Sequence, residues 1–234
     1  MKKLALLLII TACTKAPAPA ANTLVGDTKK ALAERERRLT SFRLVVDTTE
    51  GENRAHHEFS FRSPNKSRGR IQDFEIAFDG KQLVKLQHAE KKFEVVPLEL
   101  PPQERAFALA STFMPFVPEG YRAPLLPMAG VEGKQLTDKT VELTVKPGDG
   151  VTVQYVLRIP SGDFLEKRTL SGGKTRVLKV EKEQCDEKLA LCVPTKLVET
   201  MDGAVLGVTE ITSAELNPEL PQDVFAPKKP ADWP

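Results

Sequence analysis

Apolar and polar residues alternate with a period of two through most of this chain, and that restricts the fold to antiparallel sheet. Phe42, Leu44 and Val46 alternate with Arg43 and Asp47, and Ala55, His57, Phe59 and Phe61 alternate with His56, Glu58, Ser60 and Arg62. Phe74, Ile76 and Phe78 follow ahead of the turn at Asp79-Gly80; Val84 and Leu86, then Phe93 and Val95, continue the pattern. A second series covers residues 141–145 and 151–159, resumes from Phe164, and recurs at 175–180, 194–200 and 205–212. This is the signature of half-buried strands joined by hairpins. About ten or eleven strands are expected, too many to stay flat, so the sheet should curl into an open half-barrel.

Two helices are expected to cap the concave face of that sheet, giving an α+β fold. Asp27-Thr28 can cap a helix running to about Leu39, with Ala31, Leu32 and Leu39 on one side. Pro101-Pro102 opens a second through Ala106, Phe107, Ala110, Phe113 and Met114, since proline suits a first helical turn. No repeat at solenoid or propeller spacing is present.

The filling of the sheet is aromatic but dry. Eleven phenylalanines stand against two tyrosines and one tryptophan, so the lining packs apolar surface without calling for hydrogen-bond partners. Phe42, Leu44, Phe59, Phe61, Phe74, Ile76, Phe78 and Phe93 on the strands, with Phe107 and Phe113 on the second helix, are the candidate lining of an acyl-chain cavity. The same periodicity fits a closed core filled by these side chains.

The first thirteen residues specify the compartment. Lys2 and Lys3 precede an unbroken apolar run from Leu4 to Ile10, and Thr11-Ala12-Cys13 places small residues before a cysteine. A run this short does not span a bilayer core, which takes roughly 20 helical residues, so it is expected to be a processed signal. The ending resembles the lipobox of bacterial lipoproteins. That resemblance implies cleavage after residue 12, lipidation of Cys13, and a membrane partner held through the lipid. Residues 13–23 then form a Pro/Ala tether and 24–234 the domain. Thr14, rather than Asp, after the cysteine implies outer-membrane sorting, with the domain facing the periplasm.

Charge excludes other partners. Lys and Arg total 34 against 32 acidic residues, and loss of Lys2 and Lys3 leaves the two in balance. A neutral, mixed surface has no footprint for nucleic acid. Beyond Cys13, Cys185 and Cys192 remain, and in an oxidising compartment the pair is expected to form a local disulfide. Free thiols or half a metal site are the alternatives, but no second Cys or His cluster lies near.

Catalytic chemistry is not evident. His56 and His57 are strand neighbours and face opposite ways; with His88 they are the three histidines of the chain. There is no G-x-S-x-G elbow. Gly173-Lys174-Thr175 imitates the end of a phosphate loop, but Arg168 stands where the first glycine is required, so a hairpin turn is expected. No enzyme activity, metal or cofactor is expected.

The ordered features resemble the LolA/LolB superfamily of periplasmic lipoprotein carriers and their outer-membrane receptors. The resemblance runs from the helix ending Leu39-Thr40-Ser41-Phe42 through the strand end Phe61-Arg62-Ser63-Pro64-Asn65 to the hairpin Phe78-Asp79-Gly80-Lys81-Gln82-Leu83. The mid-chain Phe-rich helix and Val224-Phe225-Ala226-Pro227 complete it. It implies an open antiparallel half-barrel with a helical lid, binding acyl chains of lipids or lipoproteins. It also makes Arg62 a candidate lid contact; as a plain strand-end residue, Arg62 is a solvated charge. Cys13 departs from the soluble carriers and points to a lipidated member. The resemblance extends to lipidated relatives that bind lipids or sense envelope stress, and the alternative reading is a lipid-anchored envelope sensor or protein-interaction module whose half-barrel is filled.

Overall fold

A computed structural model describes residues 21–98, 117–124, 126–127 and 129–234. The proposed signal, Cys13 and the helix with Phe107 and Phe113 lie outside the described residues. The described residues begin with α1 (Ala21–Arg38), then β1 (Ser41–Glu50), β2 (Asn53–Arg62), β3 (Lys66–Ile71), β4 (Phe74–Phe78), β5 (Gln82–Gln87) and β6 (Lys92–Pro97). After residues 117–131 come β7 (Glu132–Gln135), β8 (Thr140–Gly148), β9 (Val151–Arg158) and β10 (Asp163–Ser171). The chain then runs through β11 (Lys174–Asp186), β12 (Leu191–Met201) and β13 (Ala204–Leu216) to a 3-10 turn, Gln222–Phe225.

The thirteen strands of the described residues form one antiparallel sheet in the order β6-β5-β4-β3-β2-β1-β13-β12-β11-β10-β9-β8-β7. Two meanders are thus joined where β1 pairs with β13, and the sheet curves without closing. Register shifts at Val45/Val46, Phe164/Glu166 and Val180/Lys182 insert extra residues that bend the strands. The hairpin at Gly172-Gly173 has φ of 56° and 75°, which a two-residue turn of this hand requires; it is the expected turn before Lys174-Thr175. The free edges carry Lys92 and Glu94 on β6 and Glu132 and Lys134 on β7, charges that discourage edge-to-edge pairing.

α1 starts at Ala21, six residues before the Asp27-Thr28 cap read from sequence and inside the stretch assigned to the tether. Packing overrides the local signal. Leu24, Thr28, Leu32, Arg35 and Leu39 recur every three or four residues and are all buried on the sheet. Thr28 lies inside the helix and donates its hydroxyl to the Leu24 carbonyl at 2.8 Å. Gly133 on β7 admits the first turn: a Cβ there would meet Val25 Cγ2 at 2.7 Å. Among the described residues no helix is long and apolar enough to cross a membrane.

The convex face has its own cover. Leu220 and Phe225 of the C-terminal segment are buried. Arg62 donates to the Leu220 carbonyl and to Gln222 Oε1 (2.8 Å), with its guanidinium 5.3 Å from the centre of the Phe225 ring.

Candidate functional site

Strand register decides which side chains share the concave face. One row crosses seven strands as Leu216, Phe42, Phe61, Ser67, Phe78, Leu83 and Val96. The next row holds Ala214, Leu44, Phe59, Gly69, Ile76, Lys85 and Glu94. Phe42, Leu44, Phe59, Phe61, Ile76 and Phe78 are therefore brought together as expected and are all buried; Phe74 shares their face at its half-buried margin. Phe93 does not join them. It pairs with Leu86, whose neighbour across β4 is Glu75, and so lies on the convex face.

The apolar face continues on the other meander through Leu197, Val193, Phe164, Leu157, Tyr155, Leu143 and Val141, all in one buried cluster with Phe42 and Phe78. Fully burying each such side chain contributes about 1.5–3 kcal/mol.

α1 and residues 117–124 cap this face, fixed by three arginines. Tyr121 packs its ring, tilted by 53°, on Phe42 (centroids 5.5 Å) and donates its hydroxyl to the Pro194 carbonyl at 2.8 Å. Burial raises the Tyr121 pKa, with Arg35 opposing. Gly120, at φ +91°, lies so close to Pro194 that a Cβ would sit 2.8 Å from its ring. Arg122 lies 4.0 Å over the Phe61 ring and pairs with Glu36 at 2.9 Å. Arg35 pairs with Asp163 at 3.4 Å and donates to the Gly120 and Cys192 carbonyls. Arg38 holds the carbonyls of Leu189, Ala190 and Ser161.

Arg62, on the convex side, is engaged by the C-terminal segment as described above. The helix-fixing arginines were missed in the sequence, although Arg35 stands out as a cation on the apolar stripe of α1. Cys185 and Cys192 are disulfide-bonded across the tip of the β11–β12 hairpin. Glu183 lies beside them, but a disulfide's sulfurs are not thiolate metal ligands. His56 and His57 face opposite ways, onto Asp47 (2.8 Å) and Thr48 (2.9 Å) respectively. Burial lowers the His57 pKa, with His56 adding to the effect and Asp47 opposing it.

Polar groups on the concave face concentrate where β10, β11 and β12 meet. Lys167 Nζ donates to Glu119 at 2.7 Å and lies 5.7 Å from the Tyr155 ring centre. Arg176 is bidentate to Glu199, at 2.7 Å for its terminal nitrogen. Burial lowers the Lys167 pKa, but Glu119 outweighs it and the net shift is upward, which keeps the ammonium charged.

No family model and no curated protein matches the sequence. Solved structures do match. A LolA superfamily protein from Nitrosomonas europaea aligns over 85% of this chain and 96% of its own, at 14% identity and a TM-score of 0.50. A Vibrio parahaemolyticus domain assigned to outer-membrane lipoprotein sorting aligns over 84% and 94%, at 8% identity and a TM-score of 0.51. At such identities the likeness is one of architecture: this chain has the open half-barrel fold of the LolA superfamily.

Proposed function

We propose that the protein is a non-catalytic carrier or acceptor of acyl chains, borne on lipids or lipoproteins, held at the outer membrane through lipidated Cys13 and facing the periplasm. The observation that carries this reading is the continuous apolar concave face running from Phe78 and Phe61 through Phe42 to Leu143 and Leu157. The fold likeness and the lipobox-like N-terminus support it. Each methylene placed on that face gains about 0.8 kcal/mol. The chain must displace Tyr121 or part of α1, which already cover the face. Binding is then an exchange of one apolar cover for another, and an exchange near balance allows the cargo to leave again.

The test is native mass spectrometry of purified Cys13→Ser protein, with added lipid in mild detergent. Acyl-chain adducts are expected, and Phe78→Glu should abolish them while circular dichroism reports the fold. Ligand-free protein under all these conditions would overturn the reading. One observation favours a second reading, an interaction or sensor module with a filled half-barrel. Tyr121 is 1% exposed, seated on Phe42 and bonded to Pro194. A stable protein partner captured without lipid uptake would favour it.

A further inference from the structure

We infer that Glu119, Lys167, Arg176 and Glu199 form a head-group site on the concave face, built for a zwitterionic phospholipid carrying a phosphodiester and an ammonium. The inference rests on the acyl-chain reading and names the lipid class that the same face takes.

Register places Lys167, Arg176 and Glu199 at the margin of the apolar surface, and Glu119 reaches Lys167 from the 117–124 segment. Glu199 pairs with Leu178, Leu178 with Lys167, and Lys167 with Tyr155, so one row spans β12 to β9. Leu157, two residues along from Tyr155 on the same face, is fully buried, as is Leu197, two residues before Glu199. An acyl chain lying on Leu157 and Leu197 therefore brings its polar end to Lys167 and Glu199. Three of these charges are neither free in water nor sealed, the Lys167, Glu119 and Glu199 side chains being 26%, 20% and 25% exposed, while Arg176 at 52% opens the site to solvent. As bare structure they have little to recommend them, because half-buried ion pairs add little to stability over apolar packing.

Their unused hydrogen-bonding capacity selects the ligand. Lys167 gives one of its three N–H donors to Glu119, and Arg176 keeps the second terminal nitrogen of its guanidinium free of Glu199. The two cations stand diagonally across β10 and β11, about 7–8 Å apart at the backbone, which one phosphate with several acceptor oxygens can bridge. On the acidic side, Glu119 has a second oxygen, and Glu50 on β1 lies close enough to act on Arg176. Two carboxylates thus pair with two cations, and Glu50 adds a third negative charge nearby. A purely anionic head group adds repulsion here, and an uncharged one leaves the donors unmatched. An ammonium joined to a phosphodiester satisfies both signs.

The test is competition for the Cys13→Ser protein among equimolar phosphatidylethanolamine, phosphatidylglycerol, diacylglycerol and a diacylated lipopeptide, read by native mass spectrometry. Phosphatidylethanolamine should exceed each of the others by about tenfold or more in occupancy. In Lys167→Met/Glu119→Gln, which removes both partners of one ion pair, that preference should shrink to within about twofold. If this variant does not fold by circular dichroism, the wild-type competition decides alone. Equal occupancy across head groups, or preference for the glycerol lipid, diacylglycerol or lipopeptide, overturns the head-group site and leaves acyl-chain binding standing. Uptake of none of the four removes both.

Discussion

Arg35 on α1 and Asp163 at the start of β10 are 3.4 Å apart with both side chains 2% exposed, so a buried ion pair pins the helix to the sheet. Asp163 also accepts from the Cys192 backbone (3.0 Å), Ser161 (2.6 Å) and Arg158 (3.3 Å). Burial lowers the Arg35 pKa and the Asp163 carboxylate opposes it. Breaking one partner leaves the other charge buried, at a cost of about 3–5 kcal/mol. Arg35→Met and Asp163→Asn should each destabilise on that scale in urea unfolding. The double variant should fall well short of their sum, because it removes both charges. Additive losses would show that the pair does not act as a unit.

Tyr121 predicts an alkaline signature. Its folded pKa is raised above 10.0 by burial, whereas the unfolded chain ionises near the ordinary value. The folded state therefore holds its proton where the unfolded state releases it. The stabilising contribution is complete below pH 10 and falls as pH rises from there toward the folded pKa. Wild type should lose more stability than Tyr121→Phe between about pH 9 and 11. At neutral pH Tyr121→Phe should cost roughly 1–3 kcal/mol, since the buried Pro194 carbonyl loses its donor. Parallel pH profiles for the two proteins would count against this.

The C-terminal segment should prove integral to the fold. Phe225 is fully buried beneath Arg62, on the face opposite α1. Phe225→Ala should cost about 3–5 kcal/mol by emptying that site. Arg62→Ala should cost less, about 1–2 kcal/mol, for its hydrogen bonds and ring contact. Thermal unfolding read by circular dichroism checks both. No change in midpoint for Phe225→Ala would mean that the segment is detached in solution.

Strand periodicity made the sheet legible, because alternation depends only on local geometry: Phe42, Phe59, Phe61, Ile76 and Phe78 share a face as their spacing required. The strand number came out higher than expected because β3 (Lys66–Ile71), with Ser67, Gly69 and three cations, and β7 (Glu132–Gln135), with no large apolar side chain, have no apolar alternation of their own and are defined by their neighbours. The start of α1 was hidden for a related reason. Asp27-Thr28 is a good local cap, but Leu24 and Val25 gain more by packing on Gly133 than the backbone gains by ending there. The clamps on α1 join residues 85 or more positions apart, as Arg35 does with Gly120 and Asp163, and no local pattern encodes such pairs.

Phe74 and Phe93 turn the displacement of Phe93 into a direct test of the binding face. Both are half-buried strand phenylalanines, but Phe74 pairs with Gln87 and Phe93 with Leu86. Consecutive residues of β5 point to opposite faces, so their partners do too. The turn between β5 and β6 decides this. Lys91 adopts φ +51° and donates its N–H to the His88 carbonyl at 3.3 Å; one residue more or less would put Phe93 on the concave side. If acyl chains occupy the concave face, Phe74→Asp should lower lipid occupancy by about tenfold, the effect of a charge set in an apolar contact. Phe93→Asp should leave occupancy within about twofold of wild type. Native mass spectrometry after lipid loading reads both, and equal losses would place the binding surface elsewhere on the sheet.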